Sequence, residues 1–165
     1  MGHLSKEVRN IQNPTFGGFV IWNFVRGFYS NNSSFTPFPL LFIVLPIVCR
    51  EDLVEVLNST NRPSGLRQFA DKFLTTKVLK NDMLLQIHSG CSNMKGLTLD
   101  SIRVALYSSL ISMDYENALV FPITTTEHKS EPKSIVKFGK ASEKLGFWCS
   151  QLTMHEVSQI LKVRF

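Results

Sequence analysis

The chain lacks the features that mark disulfide-stapled or metal-stapled proteins. Its three cysteines, Cys49, Cys91 and Cys149, are odd in number and far apart. No disulfide framework follows from them, and no CxxC pair is present to seed a zinc site. Such usage fits a reducing cytoplasm. Long hydrophobic runs are also missing. The longest, Phe38 to Cys49, is interrupted by Pro39 and Pro46 and falls short of the roughly 20 residues of a membrane-spanning helix. It reads as buried in protein, with no membrane partner. Met1 to Arg9 is polar and mixed in charge, without the apolar core of a secretory signal.

Catalytic patterns are absent too. No P-loop, GxGxxG, GxSxG or HExxH pattern occurs, so the chain supplies no phosphate-cradling loop, nucleophile elbow or zinc-protease helix. His3, His88, His128 and His155 stand alone in the sequence. His88 and Cys91 are three apart, but nothing nearby completes a ligand set. Neither Cys91 nor Cys149 has an activating base beside it. Asp100, Asp114 and Glu116 form no recognisable metal cluster. The expectation is a non-enzymatic chain without cofactor or metal.

What is present is an aromatic-rich chain of 165 residues with 44% hydrophobic residues and 13 phenylalanines, most of them in the first half. That length suits one domain with its own core. Asn13-Pro14 opens a helix: Asn is a good N-cap and Pro is favoured at the first position. From Thr15 to Tyr29 apolar residues surround the helix, which predicts burial. Gly17-Gly18 costs about 1 kcal/mol per residue in helix propensity and points to close approach of another backbone, as does Gly27. Leu40 to Val48 reads as a short buried helix kinked or restarted near Pro46, and Arg50 to Leu57 as a more polar one. Helices are expected over Leu66–Leu74, capped by Ser64, and over Lys77–His88, broken by Ser89-Gly90. Another starts at an N-cap Thr98 and runs to Leu110. Asp114 to Asn117 is turn-like, and Ala118 to Pro122 returns as a short strand.

Helix followed by hairpin is the layout of a winged helix-turn-helix. The predicted architecture is a mainly α (α+β) single domain over 1–165. It comprises an aromatic helical half (13–74), a winged-helix-like portion (about 77–123) and C-terminal helices (134–163). The last helix should carry a capping box, Thr153 with Glu156.

Net charge is +5, which permits contact with a nucleic-acid backbone or an acidic partner. Lys133, Lys137, Lys140 and Lys144 fall at steps of four, three and four, so they share a helix face. That face could follow phosphates of double-stranded DNA without reading bases; equally, it is the solvated side of an amphipathic helix. The recognition-helix position, Thr98 to Leu110, carries Asp100 and only one basic residue, Arg103, a poor groove reader. Trp22 and Arg26 are residue types enriched at binding hot spots. In a core helix instead, Arg26 would need a carboxylate or carbonyl partner.

Several short motifs, in order, resemble a known family. Glu7-Val8-Arg9-Asn10 followed by Asn13-Pro14-Thr15-Phe16, the Trp22 helix ending in Arg26-Gly27-Phe28, and the Pro37-to-Val48 stretch resemble its first half. Lys144-Leu145-Gly146-Phe147-Trp148 and Leu161-Lys162-Val163-Arg164 resemble its closing motifs, with Lys162 where glycine is expected. The family is the middle component of prokaryotic three-component ABC-ATPase systems of conflict and antiphage defence, Menshen-like systems among them. The resemblance implies a non-catalytic adaptor between an SMC/Rad50-like ABC ATPase and a third, sensor or effector, subunit. Asn13, Pro14, Trp22, Arg26 and Gly27 match family-like positions and are candidate partner contacts or structural residues. The rival expectation is a free-standing winged-helix DNA-binding regulator, which should be a homodimer with a basic recognition helix.

Overall fold

The computed structural model describes residues 12–72, 77–127 and 131–165, with side chains at 77–81 left aside. Its centre is α1, Pro14–Tyr29. Asn13 caps it, its side chain accepting from the Thr15 N–H at 2.9 Å, and Pro14 holds the first turn, as the Asn-Pro pair predicts. Every residue from Val20 to Phe28 is buried, matching the apolar residues around the whole circumference.

The glycines explain how neighbours come so close. A Cβ on Gly17 would lie 2.0 Å from Ser101 Oγ, and one on Gly18 3.1 Å from the Ser101 carbonyl. These contacts belong to α6, Lys95–Tyr107. On another side, a Cβ on Gly27 would lie 1.9 Å from the Glu143 carbonyl, and one on Gly146 2.0 Å from the Phe24 carbonyl. These residues join α1 to α7, Lys133–Ser150, the most extensive helix pair in the fold. Backbone thus touches backbone, and Ser142 Oγ donates to the Val20 carbonyl at 2.6 Å across the same seam.

The proline-rich stretch forms a 3-10 helix, Phe38–Ile43, and then α2, Val44–Val48, which is wholly buried. The helix restarts at Val44, so Pro46 sits in a first turn, where a missing N–H breaks no intrahelical bond. Then come α3, Glu51–Ser59, α4, Gly65–Asp71, and α5, Lys77–Asn93. After α6 the chain forms β2, Ile111–Asp114, and β3, Leu119–Pro122. The turn between them is held by Asp114, whose carboxylate accepts from the Glu116 and Asn117 N–H groups. The chain finishes with α8, Met154–Leu161, opened by the Thr153–Glu156 capping box.

Three expectations are corrected. Ser64 makes no side-chain bond to the start of α4, and positions 73 and 74 of the predicted helix lie outside the described residues. Ser89-Gly90 does not break α5, which continues to Asn93; a Cβ on Gly90 would come within 3.0 Å of the Pro46 ring. The glycine therefore serves packing rather than termination. Thr98 is not an N-cap: α6 starts three residues earlier at Lys95, and Thr98 is buried inside it. The expected hairpin is present, and it is part of a three-stranded antiparallel sheet. Strand β1, Thr36–Pro37, pairs with β3 through Thr36 with Val120 and Pro37 with Leu119. A two-residue strand in a proline-rich stretch has no period to betray it.

Candidate functional site

Of the residues singled out at α1, Trp22, Arg26 and Gly27 lie inside the fold, whereas Asn13 is exposed and Pro14 half-buried. Trp22 is 2% exposed, and its indole N–H donates to the Thr124 carbonyl at 2.8 Å. Arg26 is also buried. Its Nη2 lies 3.2 Å from both Glu127 Oε1 and Glu143 Oε2, and its guanidinium stands over the Trp22 ring at 4.8 Å. The arginine has the carboxylate partners that burial demands. Gly27 is the contact point with α7, and Asn13 and Pro14 start the helix. All five are thus engaged within the chain itself, as cap, seam or buried ion pair.

The lysine face of α7 is divided by what packs against it. Lys133, Lys137 and Lys140 are exposed, and Lys144 is half-buried. Lys137 pairs with Glu51 in the first turn of α3 and lies over the Phe138 ring. Lys144 Nζ donates to the carbonyls of Leu57, Asn58 and Thr60 at 3.0, 3.3 and 2.9 Å. It therefore caps the C-terminal end of α3, where a cation also complements the helix dipole. Partial burial pulls its pKa below the usual lysine range, helped by the nearby charges of Lys72 and Arg62.

Sequence reading missed a second basic group beside Lys144. Arg62 is exposed, with its guanidinium 4.1 Å above the Phe147 ring and Nη2 donating to Ser30 Oγ at 3.3 Å. Lys72 is exposed and donates to the Ser59 carbonyl at 3.1 Å. These residues flank α4 in sequence and share no helix face with Lys144, so no periodicity reveals them.

Two further surface features stand out. An open groove of about 540 Å³ lies between the start of α1 and the start of α7, with Phe16, Phe19, Ile135 and Phe138 in its wall and Glu51 and Lys137 at its rim. Beside the sheet, Phe35 stacks on Phe121 at 4.7 Å and on Tyr29 at 6.3 Å, while Tyr107 at the end of α6 and Tyr115 in the β2–β3 turn are 90% and 77% exposed.

The cysteines are not built for reaction. Burial pushes Cys49 up to about 12 and Cys91 to about 11, and Cys149, fully enclosed, higher still. A thiol in that state presents little thiolate. Among the described residues no group of three or more His, Cys, Asp or Glu side chains could hold a metal ion. Nor is any helix among them long and apolar enough to cross a membrane. On α6, Arg103 is neutralised by Asp100 at 3.2 Å.

Comparison with curated proteins and with solved structures gives no match. The model of one family, described as ABC-three component (ABC-3C) system Middle Component 3, matches residues 1–165. The chain belongs to that family.

Proposed function

We propose that this middle component is a non-catalytic adaptor. It joins an SMC/Rad50-like ABC ATPase to a sensor or effector subunit of the same prokaryotic antiphage system, and it contacts duplex DNA without reading sequence. The observation that carries the adaptor reading is the family match along all 165 residues: a middle component works among other components. The buried polar and glycine residues of α1 support it in a second way. They build a rigid central helix, the kind of scaffold on which a binding surface is held in one geometry. We read α5, α6 and the β2–β3 hairpin as a winged-helix-like unit used for protein contact, because α6 carries only Lys95 and Arg103 as basic residues and Arg103 is paired with Asp100.

Co-purification of the tagged chain with the products of its adjacent genes, with and without ATP, tests the adaptor. Retention of an ABC ATPase through gel filtration is the expected result. A lone, monodisperse homodimer that binds duplex DNA tightly by itself would replace this reading with that of a regulator.

A further inference from the structure

Three cations gather where α3 ends. Lys144 and Lys72 bond the carbonyls of the consecutive residues Leu57, Asn58, Ser59 and Thr60, and Arg62 follows two residues later. None of the three has a carboxylate partner among the described residues, where ion pairs go instead to Arg26, Arg50, Arg67, Arg103 and Lys137. The carbonyls orient these cations without neutralising them; the negative end of α3 offsets only about half a charge.

The three differ in what they can still do. Lys144 donates to three carbonyls, which uses all three ammonium donors, so it contributes field rather than contact. Lys72 and Arg62 each show one hydrogen bond and keep most of their donors. Stacking on Phe147 holds the Arg62 fork flat. One turn before Lys144 on α7, Lys140 is exposed, about 6 Å along the axis.

We propose that Arg62 and Lys72 at the end of α3, with the exposed Lys140 one turn back on α7, form a phosphate-backbone site for duplex DNA, with the half-buried Lys144 as its positive centre. This deepens the DNA-contact part of the reading above and relocates it from the length of α7 to one end of α3. An extended set of unpaired cations fits a polyanion that carries one charge per about 3.4 Å of each strand better than a single carboxylate. Of the aromatic rings at the cluster, Phe147 is covered by Arg62 and Trp148, below Lys144, is fully buried, which leaves no open platform for stacking unpaired bases. Duplex backbone is favoured over single strands.

Fluorescence anisotropy of a labelled 20-base-pair duplex, titrated between 50 and 200 mM salt, tests the site. Three phosphate contacts give a slope near −2.7, a loss of affinity of about 40-fold over that range. Arg62→Gln with Lys72→Gln keeps the side-chain bulk and removes two contacts, leaving about a 3- to 4-fold salt effect. Arg62→Lys with Lys72→Arg should restore the slope, and Lys133→Gln, outside the cluster, should leave it unchanged. A double glutamine variant with a wild-type melting temperature and an unaltered slope overturns the proposal. So does a wild-type chain that binds no duplex while the same variant loses its co-purifying subunit, since the anion is then an acidic protein face. Co-purification of the wild type is scored separately, so loss of the adaptor reading and loss of the DNA site are told apart.

Discussion

Replacing Gly27 by alanine should separate two helices that touch through their backbones. The new Cβ would sit 1.9 Å from the Glu143 carbonyl oxygen, with the carbonyl carbon at 2.7 Å and Cα at 2.9 Å. All three are backbone atoms of α7, so no rotamer change relieves the contact. Reaching ordinary van der Waals distance needs a shift of about 1.5 Å between α1 and α7. That seam also carries the Ser142 to Val20 bond and the approach of Gly146 to Phe24. Overpacking of this kind costs about 1–3 kcal/mol, occasionally more, against a gain of about 0.8–1 kcal/mol in helix propensity. Because the clash is with rigid backbone, the upper part of the range applies, and the net loss should be about 2 kcal/mol. In a chain of this size that lowers Tm by about 4–8 °C. Gly96→Ala is the matched control: it lies in the first turn of α6 with nothing within 4 Å, so it should stabilise by up to about 1 kcal/mol. Urea unfolding of both variants, with the slope m held as a check on two-state behaviour, gives the two signs. A Gly27→Ala chain as stable as wild type at unchanged m would refute the backbone-contact argument.

Three further outcomes follow from single contacts. Lys162 ends α8 in the left-handed conformation at φ 55°, so Lys162→Gly should raise stability by about 1 kcal/mol, read as a rise in the urea midpoint; a fall would show that the side chain matters more than the backbone. Of the two carboxylates on Arg26, Glu127 is 67% and Glu143 25% exposed. Glu127→Gln should therefore cost under about 1 kcal/mol and Glu143→Gln about 1–2 kcal/mol; equal losses would contradict the burial argument. The Thr153 backbone N–H, then its hydroxyl, hold Glu156 below the usual carboxylate range, with Arg67 and His155 adding to the effect. A depressed carboxylate stabilises fully above its unfolded pKa and less as pH falls through the folded value. The difference in urea midpoint between wild type and Glu156→Gln should thus be constant near pH 6–7 and shrink below about pH 4.5. A difference that stays flat down to pH 3 would count against the ionised capping box.

Local rules carried far where a signal sits within one turn. Asn13-Pro14, the Thr153–Glu156 box and the Asp114 turn each involve residues two or three apart, and each appears as read. The glycines of α1 were legible as close approaches, though not which helix approaches. Errors arose where a local signal competes with packing. Ser89-Gly90 looks like a break, yet Pro46 packs on that turn of α5, 3.0 Å from where an added Cβ would lie. Thr98 looks like a cap, yet the chain passes from α5 to α6 through Met94 alone, so the helix begins a turn early. The expected glycine at position 162 had a physical basis that only the left-handed backbone reveals.

The candidate site shows the same limit more sharply. Spacing puts Lys133, Lys137, Lys140 and Lys144 on one face but cannot say what that face meets. It meets α3. Glu51 at the start of that helix takes Lys137, and the carbonyls at its end take Lys144. Two members of the stripe thereby become struts between helices, while Arg62 and Lys72 arrive from the segments around α4 to the end that Lys144 caps. Charge on a single helix face is a property of one element; charge available to a ligand belongs to the junction of several. Basic residues at a helix end held by carbonyls keep an uncompensated positive field, whereas those met by a carboxylate have theirs cancelled, and this distinction separates Lys144 at the end of α3 from Lys137 at its start.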